Sequence, residues 1–189
     1  MVQPAFAGRV AVRRRDRAVD DDDWIRALLQ RAAVGSLAMA DAGSQPFLNM
    51  NLFVYDEAQN VIYMHTARAS TTRDALEANP RVCFGVTEIG RLLPAPTAKN
   101  FSVEYASVIV FGRGRVVDDS DEATYGLQCL MDKYAPHLQP GEDYRPSSPE
   151  ERLITSVYRI DIEEWSGKTK VAPEDFPGAF TYTPRAPTA

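Results

Sequence analysis

Apolar and polar positions alternate in short segments along the middle of the chain, a pattern typical of half-buried β-strands. The longest segment, 105–117, is rich in β-branched and aromatic residues. Five further strands are predicted at 36–40, 47–55, 61–65, 82–89 and 156–165. A turn-forming stretch at 56–60 predicts that the two strands beside it form a hairpin. Short connections without a repeated strand–helix–strand unit favour an antiparallel sheet or barrel.

Three short helices are predicted in the connections between these strands. Apolar residues recur at helical spacing after the aspartates at 20–23, and Gly35 is expected to end this first helix. The second helix covers 71–78 and stops before Pro80, because the residue preceding a proline avoids helical backbone. Ser120 is the expected N-cap of a third helix that continues to about residue 134. The predicted class is mainly β with peripheral α-helices.

The two ends of the chain differ in composition from the middle. Residues 1–19 are rich in arginine and lack strong periodicity, which predicts an N-terminal arm. Residues 172–189 contain four prolines, which predict an extended C-terminal tail. The segment 20–171 between them is expected to form one domain, which a chain of 189 residues suits.

The composition limits the classes of function and partner. A net charge of -5 argues against a nucleic-acid partner, because such proteins usually carry a basic face. No apolar run reaches the roughly 18 residues of a membrane helix, and no apolar segment follows the N-terminal arginines as in a secretory signal. We therefore expect a cytoplasmic protein without a membrane partner. Two cysteines and two widely separated histidines predict no metal site.

One segment carries residue types suited to an anion. It leaves a strand, opens the helix at 71–78 and supplies hydroxyls, cations and the free N–H groups of a helix N-terminus, which together bind phosphate. The alternative is a plain helix cap with solvated arginines. The residues concerned are His65, Thr66, Arg68, Ser70, Thr71, Thr72 and Arg73.

A second candidate follows the last predicted strand. Trp165 suits stacking on a flat ring and Lys168 suits an anion, although a surface turn with a core-packed tryptophan explains them equally. The sequence lacks the common glycine-rich phosphate-loop, zinc-hydrolase and serine-hydrolase motifs. No catalytic residue is therefore assigned.

Taken in order, several segments resemble the pyridoxamine 5′-phosphate oxidase-like flavin-binding split-barrel family, and within it the nitroimidazole-resistance-type branch. The resemblance extends from about residue 35 to residue 168. It rests on Gly35-Ser36-Leu37-Ala38, Pro46-Phe47, Phe53-Val54-Tyr55-Asp56, Val61-Ile62-Tyr63-Met64-His65-Thr66-Ala67, Asn79-Pro80-Arg81-Val82-Cys83-Phe84, Tyr105-Ala106-Ser107-Val108-Ile109-Val110-Phe111-Gly112 and Ile160-Asp161-Ile162-Glu163-Glu164-Trp165-Ser166-Gly167-Lys168.

The resemblance implies a six-stranded antiparallel split β-barrel of Greek-key type that forms a homodimer and binds flavin mononucleotide (FMN) at the dimer interface. By analogy, the backbone of Asn49, Met50, Asn51 and Leu52 flanks the flavin ring. The segment from His65 to Arg73 lies near the phosphate, and Trp165 and Lys168 reach the site, from the same or the other subunit. This sequence departs from the family in having Thr72 where relatives often have lysine, and Met50 where they often have proline.

The resulting hypothesis is an FMN-dependent oxidoreductase that passes a hydride or electrons between a nicotinamide cofactor, NADH or NADPH, and a small substrate. The flavin would supply the redox chemistry. Pyridoxamine phosphate oxidation is not predicted, because the arginine and histidine pattern of the authentic oxidase is not evident near the C-terminus. The alternatives are a deazaflavin (F420) or haem protein on the same scaffold, with His65 as the candidate haem ligand, and a non-enzymatic flavin-storing module.

Overall fold

The computed structural model describes residues 10–184. Predictions that concern 1–9 and 185–189, the outer parts of the arm and the tail, lie outside the described residues. The strands are β1 (Ala18–Val19), β2 (Gly35–Ala40), β3 (Pro46–Asn51), β4 (Val54–Asp56), β5 (Val61–Ala67), β6 (Arg81–Leu93), β7 (Ser102–Val116), β8 (Thr155–Lys170) and β9 (Phe180–Thr181). The α-helices are α1 (Asp22–Arg31), α2 (Thr71–Ala78), α3 (Ser120–Tyr134) and α4 (Pro149–Leu153).

The strands form one antiparallel sheet in the order β3-β2-β6-β7-β8-β5-β4, with β1 added to β8 and β9 added to β6. Each of the six predicted strands is present, and the mainly β, antiparallel class is confirmed. The predicted strand 47–55 is divided into β3 and β4, however, so only its second half forms the hairpin with β5. Its first half pairs with β2. The division places the two strands at opposite edges of the sheet.

A contact from a distant helix explains why this strand divides. Phe53 is fully buried, and its backbone is bound by the Tyr134 hydroxyl at the end of α3 instead of by a neighbouring strand. That hydroxyl accepts a hydrogen bond from the Phe53 N–H at 3.1 Å and lies 2.8 Å from the Phe53 carbonyl oxygen and 2.7 Å from that of Ala33. A buried backbone group needs such a partner, and here a side chain supplies it.

The core lies inside the curved sheet. Inward-facing residues of neighbouring strands, such as Leu37, Phe84 and Val110, meet in one row and are fully buried. A second, smaller core lies between the outer side of β5 and β8 and helix α3, where Tyr63 and Val157 pack. Helix α3 therefore covers only one end of the sheet.

The prediction that Gly35 ends the first helix is wrong. Helix α1 ends at Arg31, and Gly35 begins β2. A Cβ atom at Gly35 would lie 2.0 Å from Cζ of the buried Phe84 ring. The glycine is thus required by the close packing of an aromatic ring, not by a helix terminus.

The three predicted helices are all present, with one change at an N-terminus. Asp119, not Ser120, caps α3, since its carboxylate accepts from the N–H groups of Asp121 and Glu122. The described residues also contain a fourth α-helix, α4, in a segment for which the sequence pattern predicts no helix. Its Ser148 and Glu151 form a reciprocal capping box.

The described part of the C-terminal tail adds a short strand to the sheet. Strand β9 pairs with β6, and the Arg91 guanidinium donates to the carbonyl oxygens of Ala172, Pro173 and Glu174 at 2.8–3.2 Å. Glu104 holds that guanidinium in place and also accepts from the Ala172 N–H at 2.9 Å. One ion pair thus attaches the start of the tail to β6 and β7.

The attachment of the tail is expected to depend on the charge of Glu104. The hydrogen bonds from Arg91 lower the pKa of Glu104 to about 2, below its ordinary 4.5. A lowered carboxyl pKa stabilises the folded state above pH 4.5, and this contribution is lost as the pH falls towards 2. We expect Glu104→Gln to expose the tail at neutral pH, seen as about tenfold faster cleavage within 172–181 in limited proteolysis. Glu88→Gln, which removes an exposed ion pair elsewhere, is the control; equal cleavage of both variants would contradict the attachment.

Candidate functional site

The sheet is split between β3 and the segment that joins β5 to α2. Two side-chain hydrogen bonds bridge the split. Nδ2 of Asn51 donates to the His65 carbonyl oxygen at 2.6 Å, and Nδ2 of Asn49 donates to Oγ1 of Thr72 at 2.9 Å. The fold therefore brings together the two segments, 49–52 and 65–73, that the sequence had put forward as separate parts of one site.

Strand β3 offers unpaired backbone groups along the split. It pairs with β2 on one side and lies at the edge of the sheet on the other. An edge strand presents a row of N–H and C=O groups that a flat ligand with alternating donors and acceptors can use. Asn49 and Asn51 point to the inner side of β3, whereas Met50 is 70% exposed on the outer side.

The N-terminus of α2 forms the opposite wall. Ser70 caps this helix, with its Oγ accepting from the Arg73 N–H at 3.3 Å. The first N–H groups of a helix have no partner within the helix, and the helix dipole adds positive potential there. Thr71, the first helical residue, is exposed at this point. The geometry suits a phosphate or another small anion.

A cluster of three hydroxyls lies directly behind that N-terminus. The Tyr158 hydroxyl lies 2.7 Å from Oγ1 of Thr66 and 2.9 Å from Oγ of Ser70, and the latter two are 3.0 Å apart. Tyr158 is fully buried in the core. The cluster fixes the end of β5 to the start of α2 and holds the cap in position. Sequence reasoning missed Tyr158, since only the pairing of β5 with β8 brings it to Thr66.

The cations of the segment do not point into the split. Arg73 turns towards β8, where it donates to Oγ of Ser156 at 3.2 Å and pairs with Glu77 at 2.8 Å. Thr72 is the residue that faces β3, and it is 2% exposed. Successive residues of a helix are rotated by about 100° about its axis. The Arg73 side chain therefore does not occupy the place of a lysine at position 72. Arg68 is exposed on the side of β8.

His65 has an unsatisfied ring nitrogen. Its Nδ1 is buried and has no hydrogen-bond partner among the described residues. Burial lowers the pKa of His65 below its ordinary 6.5, so the imidazole is neutral at pH 7. A neutral, unpartnered imidazole nitrogen is an uncommon feature in a core, and it is one that a metal centre can use.

Trp165 and Lys168 lie elsewhere in the chain. Trp165 packs against the core and α1, donating from Nε1 to the Asp22 carboxylate at 2.8 Å, with the Arg26 guanidinium 5.4 Å above its ring. Lys168 is exposed on β8, opposite Ser107 of β7. Neither is part of the split within one chain, and their contribution from a second subunit stays a prediction.

The outer face of the sheet is apolar across four strands. Residues directly opposite each other in antiparallel strands point to the same side. One row consists of Leu48, Ala38, Cys83 and Phe111, and the next consists of Met50, Ser36, Gly85 and Ile109. Leu48 and Met50 are more than half exposed. Exposed apolar faces are common at the surfaces through which proteins associate.

Within the described part of the chain, no helix is long and apolar enough to cross a membrane. Among residues 10–184, no group of three or more histidine, cysteine or acidic residues is placed to hold a metal ion.

A mainly β antiparallel barrel that is split along one edge defines the class of split-barrel proteins. The family model described as pyridoxamine 5′-phosphate oxidase matches residues 21–169, and the chain belongs to this family. The match starts at the first helix and ends in β8, so it includes both walls of the split.

Solved structures with the same fold include three with informative names. The flavocytochrome Anf3 from Azotobacter vinelandii has a TM-score of 0.76 and 24% identity, over 95% of this chain and 86% of that one. An FAD and haem binding protein from Mycobacterium smegmatis has a TM-score of 0.72 and 20% identity, over 92% and 90%. A candidate 5-nitroimidazole antibiotic resistance protein from Bacteroides thetaiotaomicron has a TM-score of 0.67 and 18% identity, over 80% and 86%. No curated protein sequence matches the chain.

Proposed function

We propose that the protein is a flavin-dependent oxidoreductase that binds FMN in the split, with the flavin ring along β3 and the phosphate at the N-terminus of α2. The observation that carries this proposal is that the edge strand β3, with its unpaired backbone N–H and C=O groups, lies across the split from the N-terminus of α2. When bound, the flavin would carry a hydride or electrons between a nicotinamide cofactor and a small substrate. The chain would bind and orient it.

The residues of the split fit a flavin phosphate in part. Hydroxyls and free helix N–H groups are present at 66–72, but the position that would supply a cation is the buried Thr72. Lys168 of a second subunit is the candidate for that charge, since it projects from the same outer face as Ile109. This assignment makes flavin binding depend on dimer formation.

We also propose that the apolar outer face forms a homodimer. Its two rows present small and large apolar side chains over four strands, and their burial between two copies would remove them from water. A symmetric dimer uses the same face twice, so that Lys168 of each copy moves towards the split of the other. The family resemblance and the exposure of Leu48 and Met50 support this arrangement.

Charges on the apolar face are expected to give a monomer. We expect light scattering to show a mass of about twice the 21.0 kDa of one chain for the wild type and a single-chain mass for Met50→Glu combined with Ile109→Glu. Leu153→Glu introduces one charge at an apolar residue of α4 that is 66% exposed and lies outside both rows, and it is the control. A double variant that remains dimeric would place the interface elsewhere.

The direct test of the proposed function is the spectrum of the purified protein. We expect absorption in the flavin bands after purification or after addition of FMN, and bleaching of these bands by NADH or NADPH under anaerobic conditions. A loaded protein that neither nicotinamide reduces would favour the non-enzymatic storage module. A protein that takes up F420 instead of FMN would favour the deazaflavin alternative. A protein that takes up neither would refute the proposal.

Haem binding is the second candidate function, and His65 is the observation that favours it. Its buried, neutral and unpartnered Nδ1 suits coordination. Of the structures with this fold, one is named an FAD and haem binding protein and another a flavocytochrome. We expect haem titration to produce a Soret band that shifts in His65→Ala but not in His137→Ala, the other histidine of the chain. Equal spectra for wild type and His65→Ala would rule His65 out as a ligand.

A further inference from the structure

A cleft of about 350 Å³ lies on the side of α2 that faces away from β3. It is enclosed by the loop after β5, the start of β8, helix α4 and the N-terminal half of α3. Three arginines line it, Arg68, Arg73 and Arg152, and three hydroxyls lie among them, those of Ser120, Thr155 and Ser156. The remaining lining residues are mainly apolar and include Val116, Val117, Ala123, Leu127 and Val157.

The charges of the cleft are largely unbalanced. The Arg68 guanidinium has no side-chain partner within residues 10–184. Arg152 donates to a backbone carbonyl, that of Ser147, at 3.0 Å, and only Arg73 pairs with a carboxylate, Glu77. Asp118 is the one acidic residue of the lining. In a chain with a net charge of -5, this is a local concentration of positive charge that invites an anion.

A buried hydroxyl organises the arginines. Ser156 is 2% exposed, accepts from the Arg73 guanidinium at 3.2 Å and donates to the Arg68 carbonyl oxygen at 3.3 Å. It thereby fixes the backbone of one arginine and the side chain of another at the same edge of the cleft. Positions held in this way lose less entropy when a ligand binds.

We propose that this cleft binds a small organic phosphate whose phosphate lies between Arg68 and Arg152 and whose apolar or flat part lies on the valine and leucine floor. Guanidinium groups bind phosphate through two parallel hydrogen bonds, and the cleft volume is at the lower end of that of small-molecule sites. The site is separate from the split, since Arg73 and Thr72 point to opposite sides of α2.

Two sources supply this ligand chemistry. One is a free nucleotide or sugar phosphate. The other is the adenylate half of a flavin dinucleotide whose ring lies on β3, because Ser156 of the cleft is directly opposite Thr66 of the hydroxyl cluster in the β5–β8 register. The first source does not depend on the proposed flavin function, whereas the second does.

The test uses AMP as the probe and flavin-free protein, with calorimetric titration as the readout. We expect AMP to bind at least about tenfold more tightly than adenosine, and the double variant Arg68→Gln, Arg152→Gln to remove that difference. Arg145→Gln is the matched control, because Arg145 is exposed, pairs with Glu151 and does not line the cleft. Equal affinity for AMP and adenosine, or unchanged AMP binding by the double variant, would overturn the proposal.

Flavin titrations of the same proteins separate the two sources. If the cleft holds the adenylate half of a dinucleotide, the wild type binds FAD more tightly than FMN, AMP competes with FAD only, and the double variant loses affinity for FAD alone. If the ligand is a free nucleotide, AMP and FMN bind together and the double variant keeps its affinity for both flavins. Failure of all flavin binding with AMP binding intact would refute the proposed function and leave the cleft assigned to a free phosphate.

Discussion

Ser70→Asp is expected to lower the affinity for FMN about a hundredfold. Aspartate caps a helix as well as serine does, so α2 should remain intact, and its carboxylate can accept from the Tyr158 and Thr66 hydroxyls that now contact Ser70. The new negative charge would lie where the proposed phosphate binds. Two like charges at about 4 Å repel by about 4 kcal/mol at the effective dielectric constant of a protein surface, more than enough for the expected loss.

Riboflavin provides the control ligand for this prediction. It lacks the phosphate, so fluorescence titration should show nearly equal riboflavin affinity for the wild type and Ser70→Asp. Ser148→Asp makes the same change at the N-cap of α4 and should leave FMN affinity unaltered. Parallel losses of FMN and riboflavin would point to a damaged barrel, and an unaltered FMN affinity would remove the phosphate from the N-terminus of α2.

Gly35→Ala is expected to lower the free energy of unfolding by about 3 kcal/mol or more. The added Cβ would lie 2.0 Å from Cζ and 2.5 Å from Cε2 of Phe84. That ring has no room to move, since it is fully buried and packs edge-on against Phe53 with their centroids 4.8 Å apart. Strand β2 or the ring must therefore shift, and both are part of the central core.

Denaturant unfolding followed by tryptophan fluorescence measures this loss. Gly43→Ala is the control, because a Cβ at this exposed turn between β2 and β3 would meet only the Asp41 carboxylate, at 3.3 Å. We expect a change of less than about 1 kcal/mol there. A similar small change for Gly35→Ala would show that the core at Phe84 repacks freely.

The strands and helices were predictable because each depends on residues close in sequence. Alternation along 82–89 and 105–117 follows from one face being buried, and the corresponding strands β6 and β7 were found, with longer ends. The start of α2 was likewise recognisable as a cap at Ser70 or Thr71, and Ser70 is the residue that accepts from an N–H three residues later. Strand β5 continues to Ala67, two residues beyond its predicted end. These features need no knowledge of the rest of the fold.

Several of the features that sequence reasoning missed depend on contacts between distant residues. Strand 47–55 divides because Tyr134, 81 positions away, binds the backbone of Phe53. Gly35 resembles a helix terminus until β6 brings Phe84 against it. The sequence also left open which way the Arg73 side chain points. It points towards β8 because Ser156 of that strand accepts a hydrogen bond from its guanidinium.

The candidate site divides in the same way. The sequence by itself determined which chemical groups are available: the hydroxyls and helix N-terminus at 66–72, the asparagines at 49 and 51, and a surplus of arginines around 68–73. Only the tertiary structure decided which of them act together, because side-chain hydrogen bonds join Asn49 to Thr72 across the split and Arg73 to Ser156 on the other side of the helix. Residue types are local, whereas the side of a helix that meets a given strand is set by the packing of the whole sheet.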